Sequence, residues 1–196
     1  MHPELISLCL FMFVTSCSPG PNNIVASYSG FNFGIIKTIP HMLGVIFGFT
    51  FLVTVMNFGL INVFQKFPFV QEILKYTGSA FLIYMAYKIS FSKNNSDSST
   101  NNPVKFYETF FFQFINPKSV IVAVIMVSTY VEKGQNFYNY SFWTIGVAFT
   151  FAVISIIFWT LVGKFLRKFA TNEKFIKRFN YVMSLLLVGC IATFYL

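Results

Sequence analysis

The chain has 196 residues, of which 56% are hydrophobic, 20% aromatic and only 10% charged, against about 25% charged in an ordinary soluble domain. Its 28 phenylalanines give it more apolar surface than one small core can hide, which excludes a soluble globular domain and points to an all-α integral membrane protein. The net charge of +8 does not signal nucleic acid, because the basic residues lie between apolar runs instead of forming a stripe.

Six membrane spans are expected. The first covers about 5–30 and carries no charged residue, yet its middle reads SCSPGPNNIVA, Ser16 to Ala26. The leading residues Met1 to Glu4 hold no lysine or arginine, so the span is expected to be retained and not removed as a signal peptide. The second span runs from Ile39 to about Phe64, and its GVIFG, Gly44 to Gly48, is a small-residue pattern that suits close helix contact. The third, about 69–91, has lysines near its ends that can snorkel. A polar, low-complexity linker follows at 92–105. The fourth span, about 106–131, contains Asn116, Pro117 and Lys118; the fifth lies within 138–163, and the last is Phe179 to Leu196.

The linker divides the chain into repeat one (about 1–91) and repeat two (about 106–196), together one transporter domain. Three spans per half is an odd number, so the halves would cross the membrane in opposite directions. This is the inverted-repeat plan of many secondary transporters, in which broken helices at matching positions mark the binding site. Helices 1 and 4 are the broken ones. Setting Pro21 over Pro117 aligns GPNNIVAS with NPKSVIVA. Counted from the span starts, Pro19 lies ~21 Å and Lys118 ~18 Å deep from opposite faces, which puts both near the middle of a core ~30 Å thick. Ten basic residues fall in the odd-numbered connections and three in the even-numbered ones, so the positive-inside rule places both termini outside the cytoplasmic membrane.

SPGPNN, the glycines at 30, 34, 44 and 48, and NPKS in the fourth span resemble the LysE/RhtB family of bacterial amino-acid exporters over the whole chain. The runs YTGSAFLIYMAYKIS and FFFQFIN are most similar to its cysteine and O-acetylserine exporter branch. The resemblance implies proton-driven efflux of small amino acids or derivatives across the bacterial cytoplasmic membrane; a cavity lined by neutral amides and one lysine, with no carboxylate, points to neutral ones, of the cysteine/O-acetylserine, homoserine or threonine type. The resemblance implies no cofactor and no enzymatic activity. The substrate-site residues would be Pro19, Gly20, Pro21, Asn22, Asn23, Asn116, Pro117 and Lys118. One departure is Thr38, which stands where the family often has a glycine between the first two spans; that turn is expected to pack less tightly.

The residues themselves leave some roles open. Lys118, the only charge deep in a span, could meet a substrate carboxylate or cap carbonyls freed by a proline. Asn22, Asn23 and Asn116 could line a cavity or cap the breaks, while Ser18 reads as a cap. His41, taken to lie near the cytoplasmic end of the second span, and Lys118 are the side-chain candidates for a proton relay, since all six acids lie near span ends or in loops; a water chain could also serve, or export could be uncoupled facilitation. With two histidines and no carboxylate pair in a span, no metal site is expected. The partners expected are the amino acid and the bilayer, with small-residue faces that also suit a homodimer. The rival class is a membrane thiol–disulfide electron carrier using Cys17, although the matching position in the second half is Gln113 and not a thiol; Cys9 and Cys190 could pair with each other.

Overall fold

The computed structural model describes residues 3–91, 103–132, 134–170, 172–193 and 195; residues 92–102 of the polar linker lie outside them. The described residues form eight α-helices, one π-helical turn and no strand. In chain order the helices are α1 (Leu5–Cys17), α2 (Pro21–Val55), α3 (Ile61–Lys66), α4 (Pro68–Ser90), α5 (Phe106–Ile115), α6 (Pro117–Tyr130), α7 (Phe137–Arg167) and α8 (Glu173–Ala192), with the π turn Met56–Leu60 between α2 and α3. Pro21–Val63, α7 and α8 are each long and apolar enough to cross a bilayer, and α5 with α6, bent by 62°, qualifies as a broken pair.

The helix α2 is not one rod. Gly34 has φ 77° and ψ 178°, a backbone shape that side-chain-bearing residues avoid. The Ser29 hydroxyl lies 2.8 Å from that of Thr38; in a straight helix their nine-residue separation would be ~13 Å. The chain therefore folds back at Gly34, giving one arm at 21–33 and another at 35–55. The break between the first two expected spans falls at this point. Thr38 does not loosen the turn. It is fully buried, and its hydroxyl is also 2.7 Å from the Gly34 carbonyl, so a polar side chain closes the corner.

Close backbone approach holds the arms in place. The 21–33 arm crosses α7 with Gly30 against the Thr160 carbonyl and Gly163 against the Ser27 carbonyl, and the Ser27 hydroxyl donates to the Trp159 carbonyl at 2.9 Å. On the 35–55 arm, Gly44 and Gly48 face α5: a Cβ would come within 2.5 Å of the Phe106 carbonyl at the first and 2.8 Å of the Phe110 carbonyl at the second. The small-residue face of GVIFG is thus used inside the chain. A larger apolar core lies among α1, the 35–55 arm, α6 and α7, around Leu52, Met56, Met126 and Ile156. A second, around Leu82, Met85, Ile89 and Leu187, joins α4 and α8 to the 21–33 arm.

The last helix begins earlier than the hydropathy suggests. It starts at Glu173, with Asn172 accepting from the Phe175 N–H at 2.8 Å, so Lys174, Lys177 and Arg178 are helical instead of preceding a span at Phe179. Near its start Phe179 stacks on Phe31 at 3.8 Å between centroids, and Asn32 donates to Asn180 at 2.9 Å. The α7 residue Arg167 lies 5.3 Å over the Phe31 ring. These contacts clamp α7 and α8 onto the Gly34 turn.

The glycine crossing gives a direct stability test on one helix. Gly163→Ala puts a methyl into the Ser27 backbone and is expected to cost roughly 1–3 kcal/mol, seen as a lower Tm in detergent. Gly146→Ala, where a Cβ would meet nothing within 4 Å, is expected to be neutral or to stabilise by about 0.5–1 kcal/mol through helix propensity.

Candidate functional site

Two prolines end α1. Because proline has no N–H, Pro19 leaves the Thr15 carbonyl and Pro21 the Cys17 carbonyl without their intrahelical donors. The open segment Ser18–Gly20 exposes further carbonyls, which lipid cannot satisfy. Side chains do so instead. The Ser18 hydroxyl donates to the Thr15 carbonyl at 2.8 Å. The Ser16 carbonyl accepts from three donors: Asn23 at 3.2 Å, Ser155 at 3.2 Å and the Trp159 indole at 3.1 Å. Asn23 also reaches the Ser18 carbonyl at 3.2 Å.

The second break is capped in its own way. Asn116 is the N-cap of α6, its side chain accepting from the Lys118 N–H at 3.2 Å, with Pro117 in the first turn, where a missing N–H costs least. The bend turns Lys118 toward the first break. Its ammonium donates to the Ser18 carbonyl at 2.9 Å and to the Ser18 hydroxyl at 2.7 Å. Lys118 therefore caps one carbonyl, at the opposite break, and not one freed by Pro117. Gly20 permits the crossing, since a Cβ there would lie 2.7 Å from Lys118 Cδ.

A second bridge was not anticipated from the sequence. Gln113, fully buried, exchanges paired amide bonds with Asn22: Asn22 Nδ2 to Gln113 Oε1 at 2.8 Å, and Gln113 Nε2 to Asn22 Oδ1 at 3.2 Å. Ser119 donates to the same Oε1 at 2.9 Å, and Gln113 Nε2 also reaches the Thr109 carbonyl at 2.9 Å. The signal was present in α5. Thr109, Gln113 and Asn116 recur at i, i+4 and i+7, one polar face on an otherwise aromatic helix.

Between the breaks lies a cavity of about 80 Å³. Gly20, Pro21, Asn22, Asn23, Asn116 and Lys118 line it, together with Gln113, Ser119 and Ser155. Lys118 is the one charged side chain on its wall, and no carboxylate lines it. Two of the expected residues are not on that wall: Pro19 is exposed, and Pro117 is buried behind it. His41 does not line it either; it lies in the second turn of the 35–55 arm. It is buried behind Asn22, with Nδ1 2.9 Å from the Thr109 hydroxyl and Nε2 3.3 Å from the Asn22 carbonyl. Cys17 is exposed at the end of α1, and Cys9, Cys17 and Cys190 are free thiols, so Cys9 and Cys190 do not pair. Among the described residues no cluster of side chains could hold a metal ion.

If Lys118 joins the two breaks, its loss is felt by the fold. Lys118→Met leaves both Ser18 acceptors without their charged donor and is expected to cost about 1–3 kcal/mol. Thermal unfolding in detergent measures this; an unchanged Tm would show that the bridge contributes nothing to holding the breaks together.

Comparison with known proteins finds relatives along nearly the whole chain. Curated proteins named "Cysteine/O-acetylserine efflux protein" from Escherichia coli strain K12 and from Shigella sonnei strain Ss046 are each 28% identical over 194 residues, covering 97% of this chain and 97% of theirs. The protein of that name from Escherichia coli O139:H28 is 27% identical over the same extent. No solved structure matches. The model of the LysE type translocator family matches residues 13–195, and the chain, a transporter and not an enzyme, belongs to that family.

Proposed function

We propose that the protein exports a small neutral amino acid or derivative, of the cysteine/O-acetylserine type, from the bacterial cytoplasm across the inner membrane, through the cavity between the two breaks. The observation that carries this is the cavity's chemistry: one cation, several neutral amides and hydroxyls, and no carboxylate. An amino acid presents a carboxylate to Lys118, while the oxygens of Asn22, Asn23 and Asn116 face its α-ammonium. A lysine or arginine substrate would bring a second positive charge with nothing on the wall to meet it.

The arrangement also supplies a way for occupancy to change the structure. Two of the three N–H bonds of Lys118 are held by Ser18. A substrate carboxylate competes with Ser18 for the ammonium, and charge-assisted bonds of this kind are the strong ones. Binding then releases Ser18 and, with it, one of the two side-chain bridges between the breaks. The Asn22–Gln113 bridge keeps the halves in register while this happens. His41, bonded to the Asn22 carbonyl, and Lys118 are the side chains of this network suited to carry a coupled proton.

The reading takes the chain as six spans in two inverted halves, repeat one at about 1–91 and repeat two at about 106–196, with both termini outside. Several pairings support it. The 35–55 arm packs against α7, α4 packs against α8, and each half contributes one proline break to a common cavity. The Ser184 hydroxyl donates to the Ala86 carbonyl at 2.9 Å and accepts from Ser90 at 2.7 Å, which joins the third helix of each half to the other.

Inverted membrane vesicles carrying the protein test the proposal with labelled amino acids. Saturable accumulation of cysteine and O-acetylserine is expected, with excess unlabelled arginine competing at least about tenfold more weakly. Nigericin, which removes the pH gradient, is expected to slow the uptake. Accumulation of arginine in preference to cysteine would overturn the neutral-substrate reading, and insensitivity to nigericin would remove proton coupling by a pH gradient.

A further inference from the structure

The cavity has a direction. The start of α1 meets the end of α6, where the Ser7 and Tyr130 hydroxyls are 3.1 Å apart, so α1 followed backwards and α6 followed forwards leave the breaks toward the same end. The start of α7 lies at that end too, since Phe137 packs on Phe58, beyond the far end of the 35–55 arm, at 5.8 Å. In the opposite direction the space closes where Gly30 and Gly163 bring the 21–33 arm onto α7.

Moving away from the breaks along each wall, the lining changes character. At the level of the breaks stand Asn22, Asn23, Gln113, Lys118, Ser119 and Ser155. One to two turns further on, the lining becomes Met12 on α1, Val45 and Phe49 on the 35–55 arm, Val122 on α6, and Phe151 and Ala152 on α7. The antiparallel register of that arm with α7, fixed by the Phe47–Phe149 ring contact, puts Val45 level with Phe151 and Ala152, and Phe49 more than a turn further from Ser155. The cavity thus has a polar floor and an apolar roof. Five of the six roof residues are branched, aromatic or thioether side chains, and the sixth, Ala152, carries only a methyl.

We propose that the apolar roof is the subsite for the substrate's side chain, and that Ala152 sets the largest side chain accepted. The inference rests on the export reading above and extends it to substrate discrimination. With the charged α-carbon groups held at the floor, the side chain has one direction left, toward Met12, Val122 and Ala152. Thr15 is the one polar side chain near this level, and its hydroxyl is committed to the Phe11 and Met12 carbonyls at 3.0 and 3.1 Å. A thiol, a weak donor that behaves as a small hydrophobe, fits the roof, whereas a hydroxyl of the same shape leaves its polar group unpaired. Cysteine is therefore expected over serine by roughly tenfold to a hundredfold in transport efficiency. Size points the same way. A buried water needs about 10–15 Å³ on the measure by which this cavity is 80 Å³. That leaves space for roughly five to eight water-sized atoms, which suits the seven non-hydrogen atoms of cysteine, whereas the ten of O-acetylserine need the walls to give.

The test compares labelled cysteine, serine and O-acetylserine in vesicles carrying the wild type, Ala152→Val and Val122→Ala, with protein amount and Tm recorded for each. Ala152→Val is expected to lower O-acetylserine transport at least about tenfold while cysteine changes by less than about threefold. Val122→Ala, a change on another helix, is expected to shift the ratio toward O-acetylserine, so a folding failure of the first variant leaves the second to decide. If the wild type accumulates neither cysteine nor O-acetylserine, the export reading falls and the subsite with it. Working wild-type vesicles in which both variants leave the cysteine/O-acetylserine ratio unchanged, or in which serine matches cysteine, overturn the roof assignment alone.

Discussion

A carbonyl freed by a proline in the interior of a membrane protein must find a donor within the protein. Lipid offers none, and an unpaired buried polar group costs several kcal/mol. The breaks at Ser18–Gly20 and at Asn116 create that demand twice. At the first break Ser18 meets it locally at Thr15, and neighbouring carbonyls take donors from other helices: Ser155 and Trp159 reach Ser16 from α7, and Lys118 reaches Ser18 from α6. The convergence of these donors brings polar groups together around a cavity in an otherwise apolar bundle. Structural caps and cavity lining are therefore the same residues. Asn23 satisfies two carbonyls with its amide nitrogen and still borders the cavity, so the two roles open for it in the sequence are not alternatives.

The surrounding helices are set by close packing, with no ion pair holding them at the cavity. Gly30, Gly44, Gly48 and Gly163 let backbones approach each other to contact distance, as small residues do where lipid removes the hydrophobic drive for helix association. The consequence is a division of labour. The glycine crossings make the 21–33 arm with α7, and the 35–55 arm with α5, firm pairs. The link from α1 to α6 adds polar bonds to its apolar packing, chiefly those of Lys118 to Ser18, which a ligand can compete for. A site joined by exchangeable bonds inside rigid pairs is what a binding-coupled rearrangement needs.

Much of this was legible in the sequence because it was local. Composition gave the solvent, prolines and asparagines in apolar runs marked both breaks, and the one intramembrane lysine pointed to the cavity wall. What escaped depended on long-range contact or on backbone shape. Ser155 and Trp159 meet the first break from more than a hundred residues away, and nothing around them in α7 announces it. Gly34 reads like any other glycine in a membrane helix until its positive φ shows the reversal. Gln113 was visible as a polar residue in an aromatic run, but only its helical spacing from Thr109 and Asn116 connects it with the site. The start of α8 was placed late because charged residues at 173–178 lower the hydropathy of a segment that a capped helix readily accommodates.

The central claim is that the two breaks are energetically one site, joined across the halves. A double-mutant cycle on Asn22→Ala and Gln113→Ala, read as unfolding free energy in detergent, tests it most directly. The paired amide bonds at 2.8 and 3.2 Å predict a coupling of about 1 kcal/mol or more, with the double variant losing clearly less than the sum of the single ones. Strictly additive effects would mean that the halves meet at the cavity without holding each other there, which contradicts the account.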